Sequence, residues 1–241
     1  MSTIKLQKFI ASSGLTSRRK AEELISKGKV FVNKKKAKIG ARIDPKLDRV
    51  VVNNKEIKNQ TEFSYYLINK PVGYVSTTSD ELGRKNVLNL IPKISQRVYP
   101  VGRLDIDSQG LMLLTNNGDL AQKLTHPSFE IPKTYHVLII GTPSSKALNH
   151  LARGVKLKEG YTQPAEVEIL GHEEGNTWLE ITIYEGRNKQ VRRMLDRVGY
   201  PVKKLIREKM GPFDLEMLDG KQFVQIPESE VEKLIKLNLS G

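Results

Sequence analysis

The sequence predicts an α+β protein with two domains. A small basic α/β domain is expected over residues 1–60, and a larger domain with a mainly antiparallel sheet over residues 63–241. Three observations support this division. The length of 241 residues suits one or two domains. Positive charge is concentrated at the N-terminus, and the strand-like segments after residue 63 do not alternate regularly with helices, as a parallel sheet would require.

Two short helices are predicted at the start of the small domain. Apolar residues at i, i+3 and i+4 predict the first helix, and they are Leu6, Phe9 and Ile10. Gly14 can end that helix. Ser17 is a suitable N-cap for the second helix, which Gly28 can end.

The hydrophobic period then changes from that of a helix to that of a strand. Val30 and Val32 alternate with other residues, and a turn is expected at residues 33–36. The apolar run at residues 50–52, followed by the turn pair Asn53-Asn54, predicts a closing hairpin. The small domain should therefore combine two helices with a small sheet.

The larger domain should follow a linker at residues 58–62, where neither apolar periodicity nor β-branched residues occur. Strands are predicted at residues 65–68, 111–114, 135–140, 155–157, 167–169 and 179–183. The clearest helix should be capped by Asn188 and end at Gly199.

Composition excludes several classes of protein. The chain has no cysteine, which excludes disulfides, thiol catalysis and cysteine-bound zinc. Its four histidines lack the spacing of a helical metal site, so no metal is expected. No apolar run approaches the roughly 20 residues that span a bilayer. We therefore expect a cytosolic protein without a membrane partner.

The distribution of charge indicates a polyanionic partner. Residues 1–60 contain 16 Lys and Arg against 5 Asp and Glu, so they hold +11 of the net charge of +13. Nucleic acid fits this pattern, because each neutralised phosphate releases condensed counterions. A solubilising surface or a patch for anionic membranes is the alternative.

The N-terminal segment also carries a recognisable motif. The patterns Gly14-x-x-Ser17-Arg18 and Gly28-x-Val-x-Val-Asn33 resemble the RNA-binding fold named after ribosomal small-subunit protein four, over about 55 residues. Lys34 departs from that family, which usually has glycine there. Together with the basic charge, the resemblance predicts RNA contacts at ten residues: Lys8, Ser17, Arg18, Arg19, Lys20, Lys29, Lys34, Lys35, Lys36 and Arg103.

The densest polar cluster of the larger domain lies at residues 100–110, just before an apolar strand. Asp105, Asp107 and Arg103 stand between glycines there. Such a cluster can form a positioned acid–base site in a cleft. An Asx turn with a surface ion pair explains the same residues equally well.

A resemblance bears on these alternatives. Residues 102–111, Gly-Arg-Leu-Asp-x-Asp-Ser-x-Gly-Leu, are similar to the signature of pseudouridine synthases that modify ribosomal RNA and carry the same N-terminal domain. Three further blocks match that family in order, at residues 67–73, 133–135 and 185–194. The resemblance covers almost the whole chain.

The resemblance implies an isomerase that converts uridine to pseudouridine in ribosomal RNA without a cofactor. The family's invariant aspartate falls on Asp105, and a tyrosine that packs on the target base falls on Tyr135. The basic residue paired with the aspartate falls on Arg192, and an apolar pocket residue on Leu205. Whether the carboxylate acts as nucleophile or base is not decided by sequence.

Two other functions are compatible with parts of the pattern. A non-catalytic ribosomal RNA-binding assembly factor would share the basic domain, and a glycosidic hydrolase would use a carboxylate pair such as Asp105 and Asp107. Residues 96–102 and 124–128 look closer to large-subunit than to small-subunit enzymes. We expect a monomer that acts on large-subunit RNA, with small-subunit RNA as the alternative.

Overall fold

A computed structural model of the chain describes residues 3–59, 62–94 and 96–239, and side chains up to residue 237. The chain forms two compact units. The smaller comprises the residues up to 63 with 94–98 and 116–118, and the larger comprises 64–93, 99–115 and the residues from 119 onward. The predicted linker at 58–62 includes residues 60 and 61, which lie outside the described residues.

The smaller unit packs two helices with short strands. Its elements are β1 (Ile4–Lys5), α1 (Leu6–Ser12), α2 (Arg18–Ser26), β2 (Val30–Val32), β3 (Lys35–Lys36), β4 (Arg42–Ile43), β5 (Val50–Val52) and β6 (Lys55–Ile57). Strands pair in the order β3-β2-β5-β6, and β1 pairs with β4. As predicted, the Ser17 side chain caps α2 by accepting from the backbone N–H of Lys20 at 3.3 Å.

Two tight hairpins fix the register of this small sheet. Asn33 and Lys34 have φ of 48° and 66°, and Asn53 and Asn54 have φ of 48° and 64°. Positive φ at both central residues matches the right-handed twist of the flanking strands. The predicted turn at residues 33–36 is therefore shorter than expected, because Lys35 and Lys36 already belong to β3.

The larger unit contains a nine-stranded sheet. Its strands and helices are β7 (Tyr65–Lys70), β8 (Tyr99–Pro100), β9 (Gln109–Thr115), α3 (Gly118–Thr125), β10 (Lys133–Ile140), α4 (Ser145–Arg153), β11 (Lys156–Leu157), β12 (Gly160–Tyr161), β13 (Glu166–Glu173), β14 (Asn176–Ile183), α5 (Gln190–Arg197), β15 (Val202–Met210), β16 (Phe213–Asp214), β17 (Phe223–Ile226) and α6 (Glu228–Leu239). Short 3-10 helices occupy Val87–Leu90, Pro127–Phe129 and Leu215–Leu218.

The sheet is antiparallel except at one junction. Its order is β13-β14-β10-β15-β9-β7-β17, with β16 on β15 and β8 on β9. In the described part of the chain only β9 and β15 run parallel, where Gly110 lies opposite Arg207. The prediction of a mainly antiparallel α+β domain is confirmed.

Gly110 is required at that junction. A Cβ added to it would lie 2.4 Å from the carbonyl oxygen of Arg207 and 2.6 Å from its nitrogen, and its φ is +111°. Only glycine allows so close an approach of two backbones. The strand that follows the polar cluster is therefore held directly against β15.

Some predicted elements need correction. The helix predicted to be capped by Asn188 is instead capped by Lys189, which adopts a left-handed φ of 48° and offers no side-chain cap, so the helix begins at Gln190. The strand predicted at 155–157 begins at residue 156. Among the described residues, no helix is long and apolar enough to cross a membrane.

Candidate active site

A cavity of about 240 Å³ opens at the parallel junction of the sheet. Its floor is one face of three adjacent strands: Lys133 and Tyr135 from β10, Ile183 from β14, and Leu205, Arg207 and Met210 from β15. At about 30 Å³ per water molecule, this volume corresponds to about eight waters. The cavity is therefore large enough for one pyrimidine ring.

Asp105 lies on the loop between β8 and β9 and lines this cavity. Its neighbour Leu104 is anchored by Ser76, whose hydroxyl accepts from the backbone N–H of Leu104 at 3.0 Å and donates to its carbonyl at 2.6 Å. No described side chain donates a hydrogen bond to the Asp105 carboxylate, which is half-buried. The loop thus presents an unpaired carboxylate to the cavity.

A buried lysine holds the same loop from below. Lys70 is fully buried at the end of β7, and its Nζ donates to the carbonyls of Pro71, Asp105 and Ser108 at 3.1, 2.9 and 2.6 Å. Burial lowers the pKa of Lys70 to about 8, against the opposing attraction of Asp107 and Asp105. Lys70 therefore fixes the loop backbone at Asp105 itself and three residues later, at Ser108.

Arg192 contacts this loop at a different residue from the predicted one. From α5, its Nη2 lies 3.3 Å from the Asp107 carboxylate and donates to the Asp107 carbonyl at 3.0 Å and to the Ser108 hydroxyl at 3.3 Å. The predicted pairing of Arg192 with Asp105 is wrong in this structure, because α5 meets the loop two residues further along the chain. Arg192 is also not among the residues that line the cavity.

Two more cations form part of the cavity floor. Lys133 is 9% exposed and Arg207 is 2% exposed. Burial, and then repulsion from Arg207, lower the pKa of Lys133 to about 8. In the described residues, Asp105 is the one carboxylate that lines this cavity. The cavity therefore combines one acidic group with an excess of buried positive charge.

One wall of the cavity is the segment just before α5. Glu185 accepts from Gln190 Nε2 at 2.7 Å and from Arg187 Nε at 2.9 Å. Arg187 also donates to the Gly160 carbonyl at 3.0 Å. Arg187 thus holds this wall, whereas Asn188 and Lys189 are exposed at the cavity's edge.

The structure brings together three of the four predicted catalytic residues. Asp105, Tyr135 and Leu205 line one cavity, and Arg103 lies at its exposed edge. Lys133 and Arg207 were not predicted as site residues. The block at residues 133–135 contained the lysine, but Arg207 lies outside every quoted motif, in a strand that the sequence analysis did not predict.

The predicted RNA-contacting residues of the smaller unit are mostly exposed. Ser17 caps α2 and Lys8 is half-buried on α1. The exposed members of the set are Arg18, Arg19, Lys20, Lys29, Lys34, Lys35 and Lys36. Arg18 and Arg19 begin α2, and no acidic residue occurs in its first turn. These cations are therefore available to an anion at the helix start.

Metal ligands do not cluster in the described residues. No group of three or more His, Cys, Asp or Glu side chains there is arranged to hold a metal ion.

Comparisons with known proteins match both units. Residues 64–197 match the family model described as RNA pseudouridylate synthase, and residues 4–48 match the S4 domain. "Ribosomal large subunit pseudouridine synthase B" of Bacillus subtilis (strain 168) is 42% identical over 95% of each chain. An "Uncharacterized RNA pseudouridine synthase" of Aquifex aeolicus (strain VF5) is 38% identical over 98% of this chain and 95% of the relative.

A solved structure agrees with these sequence matches. "Crystal structure of pseudouridylate synthase" superposes with a TM-score of 0.68 at 30% identity and covers 96% of this chain and 99% of that chain. The similarity extends over both units.

Proposed function

The chain belongs to the RNA pseudouridylate synthase family, and from that premise we propose that it converts a uridine of large-subunit ribosomal RNA to pseudouridine with Asp105 as the catalytic carboxylate. One observation carries the proposal. An unpaired, half-buried carboxylate and an aromatic side chain line the same cavity, which is large enough for one pyrimidine ring. A closely similar relative named for the large ribosomal subunit supports the choice of RNA.

The reaction is an isomerisation, so no atom is gained or lost overall. The bond from C1′ of the ribose to N1 of uracil breaks, the base turns, and a bond from C1′ to C5 forms. The proton on C5 leaves, and N1 gains a proton. In this proposal Asp105 acts on the sugar or the base, as nucleophile or general base. Neither an oxidant nor a phosphoryl donor is required.

The cavity's other residues have distinct tasks in this proposal. Tyr135 presents an aromatic ring to a base that has left its stack, and Leu205 supplies an apolar contact. Arg192 is a positioning residue, because it holds the loop at Asp107 and Ser108 and does not touch the Asp105 carboxylate. Gly102 gives the loop its turn, at a φ of +72°.

The two units divide recognition and chemistry between them. We propose that the smaller unit, residues 1–60, binds phosphates of the RNA backbone, and that residues 63–241 carry out the chemistry. The protein is expected to act as a monomer in the cytoplasm, because its substrate is ribosomal RNA and its own chain supplies a complete cavity.

Asp105→Asn tests the proposal. The amide keeps the shape of the carboxylate but is neither nucleophile nor base, so pseudouridine formation should fall roughly a thousandfold or more. Affinity for RNA should stay within about threefold. Ribosomal RNA from cells that lack this protein serves as substrate, and mapping of pseudouridine on both subunits' RNA identifies the target.

Asp107→Asn is the matched control. Its carboxylate is half exposed and contacts Arg192, so its loss should reduce the rate far less. Substantial turnover by Asp105→Asn would reject Asp105 as the catalytic group. A modified uridine in small-subunit RNA alone would reject the choice of substrate but not the chemistry.

A further inference from the structure

We propose that Lys133 and Arg207 are substrate-contacting residues, which bind the carbonyl oxygens of the target uracil on the cavity floor and stabilise the base while it is detached from the ribose. This inference rests on the proposed function. It assigns a task to two buried cations that the motifs and the catalytic set leave without one.

The two side chains approach the cavity from neighbouring strands. Lys133 precedes Tyr135 by two residues on β10, so both face the same side of the sheet. Arg207 is the cross-strand partner of Tyr135 on β15. Gly110 fixes the Arg207 backbone from the opposite neighbour, β9. A base stacked on Tyr135 would therefore lie within the reach of both cations.

Hydrogen-bond accounting leaves donors unused on both residues. Arg207 Nε donates to the Leu111 carbonyl at 2.8 Å, but its Nη2 is buried and has no hydrogen-bond partner among the described residues. Lys133 Nζ donates to the Ile131 carbonyl at 2.8 Å, which uses one of its three protons. In the described part of the chain neither cation forms an ion pair with a carboxylate. Buried cations with unused donors are rare, because an unpaired buried charge is costly.

The base, not a phosphate, is the part of the nucleotide expected at this depth. The sugar–phosphate backbone joins the target nucleotide to the rest of the RNA, so it must leave the cavity at its open edge. Exposed cations are already present at that edge, namely Arg103 and Lys189. Uracil has two carbonyl acceptors and no charge before the reaction, and it can reach the floor without bringing a phosphate into the protein.

The reaction itself explains why cations are useful there. When the bond from C1′ to N1 breaks, its electron pair stays with the uracil, and the negative charge spreads over the ring and its carbonyl oxygens. The pair then forms the new bond from C5 to C1′. Fixed donors aimed at developing charge in a water-poor site lower the barrier. They also retain the detached base while it turns.

Lys133→Met and Arg207→Gln test the inference in the full-length protein. Each variant should lower kcat about a hundredfold, the usual cost of removing one donor to developing charge, with RNA affinity changed by less than about threefold. Lys203→Met is the matched control, an exposed lysine on β15 whose loss should leave kcat unchanged. Should Arg207→Gln fail to fold, as judged by thermal unfolding, Lys133→Met alone decides.

The pH profile provides a second readout that a purely structural role would not move. Lys133 loses its proton near pH 8, so the rate should fall as pH rises through that value. In Lys133→Arg the guanidinium stays charged, and this fall should move to higher pH. Lys70 has a similarly lowered pKa but is unchanged in that variant, so it cannot produce the movement. The other charged or titratable groups lining the cavity are Arg103, Asp105, Tyr135, Arg187, Lys189 and Arg207.

Small probes distinguish base binding from phosphate binding. Free uracil and inorganic phosphate are each titrated into the wild type and Lys133→Met, and the shift of protein NMR signals is followed. Weaker binding of uracil alone supports the inference. Weaker binding of phosphate alone, or unchanged kcat with an unmoved pH profile, overturns it. An inactive wild type would instead reject the proposed function, whereas an active wild type with equally active variants rejects only this inference.

Discussion

The two units of this protein use positive charge in opposite ways. In the smaller unit the cations lie on the surface, and Arg18 and Arg19 are exposed at the start of a helix. In the larger unit three cations are at least nine-tenths buried: Lys133 and Arg207 line the cavity, and Lys70 holds the loop that carries Asp105. Exposed cations keep their hydration and suit long-range attraction of a polyanion. Buried cations lose their hydration and suit contacts of fixed geometry.

This difference separates affinity from chemistry. Residues 1–60 hold +11 of the net charge, whereas the rest of the chain holds +2. The number of charges in the sequence therefore identifies the binding surface but not the cavity. In the cavity a few charges have large effects, because they are desolvated. Substitution of a buried cation in the larger unit should accordingly change stability and catalysis, whereas substitution of an exposed cation in the smaller unit should change the affinity for RNA.

The largest effect on stability is expected for Lys70→Met. The substitution leaves the carbonyls of Pro71, Asp105 and Ser108 without their shared donor, which should destabilise the larger unit by about 3–5 kcal/mol even though a buried charge is removed. Urea unfolding followed by the fluorescence of Trp178, the single tryptophan, reports on this unit. Lys35→Met, in an exposed strand position of the smaller unit, should leave that transition in place. Equal stability of the two variants would contradict the comparison.

The next largest effect on stability is expected for Gly110→Ala, which displaces the backbone of Arg207. Its Cβ would lie 2.4 Å from the Arg207 carbonyl oxygen, so the junction of β9 and β15 must separate, at a cost of about 3 kcal/mol. Gly160→Ala is a matched control, since its φ of +113° is nearly the same as the +111° of Gly110 but no atom lies within 4 Å of the added Cβ. The difference between the two unfolding free energies measures the steric contact alone. A difference near zero would mean that the backbone of β15 shifts to accommodate the added methyl group at little cost.

Sequence patterns predicted the elements whose burial follows a simple period. Residues 65–68, 111–114 and 135–140 alternate or run apolar, and each forms part of a central strand. Strand β15 was missed because its buried face contains both Leu205 and a charged residue, Arg207. With a charge on the buried face, the segment lacks the alternation of apolar and polar residues that identifies a strand. The helices α3, α4 and α6 were also missed.

The candidate site was predictable only where a motif carried it. Asp105, Tyr135 and Leu205 came from family resemblance, and one cavity contains all three. The partner of Arg192 was not predictable, because Asp105 and Asp107 differ by two residues in sequence and only the packing of α5 on the loop decides between them. Unused donors, such as Arg207 Nη2, exist only in three dimensions.

A smaller effect on stability should appear in the pH dependence of Lys133. Its pKa is near 8 in the folded protein and near 10.5 when unfolded, so the unfolded chain binds more protons between these values. The free energy of unfolding should therefore rise with pH across that window, by on the order of 1–2 kcal/mol from this residue. Lys133→Met should lack that contribution, whereas Lys203→Met should keep it. If the free energy of unfolding of the wild type and of Lys133→Met depended on pH in the same way, the Lys133 amine would not be desolvated.

The smallest effect on the fold, and the clearest on affinity, is expected for the double variant Arg18→Gln with Arg19→Gln. Both side chains are exposed in the first turn of α2, where a cation opposes the helix dipole unless an anion is bound. Their removal should leave the unfolding curve unchanged and should weaken the binding of target and unrelated RNA by similar factors. The slope of log affinity against log salt should fall by about 1–2 units, because fewer counterions are released. Catalysis at saturating RNA should persist, since the cavity of the larger unit is intact. A variant that binds RNA normally with the same salt slope would show that this end of α2 faces away from RNA, and the smaller unit's other exposed cations would then have to account for its affinity.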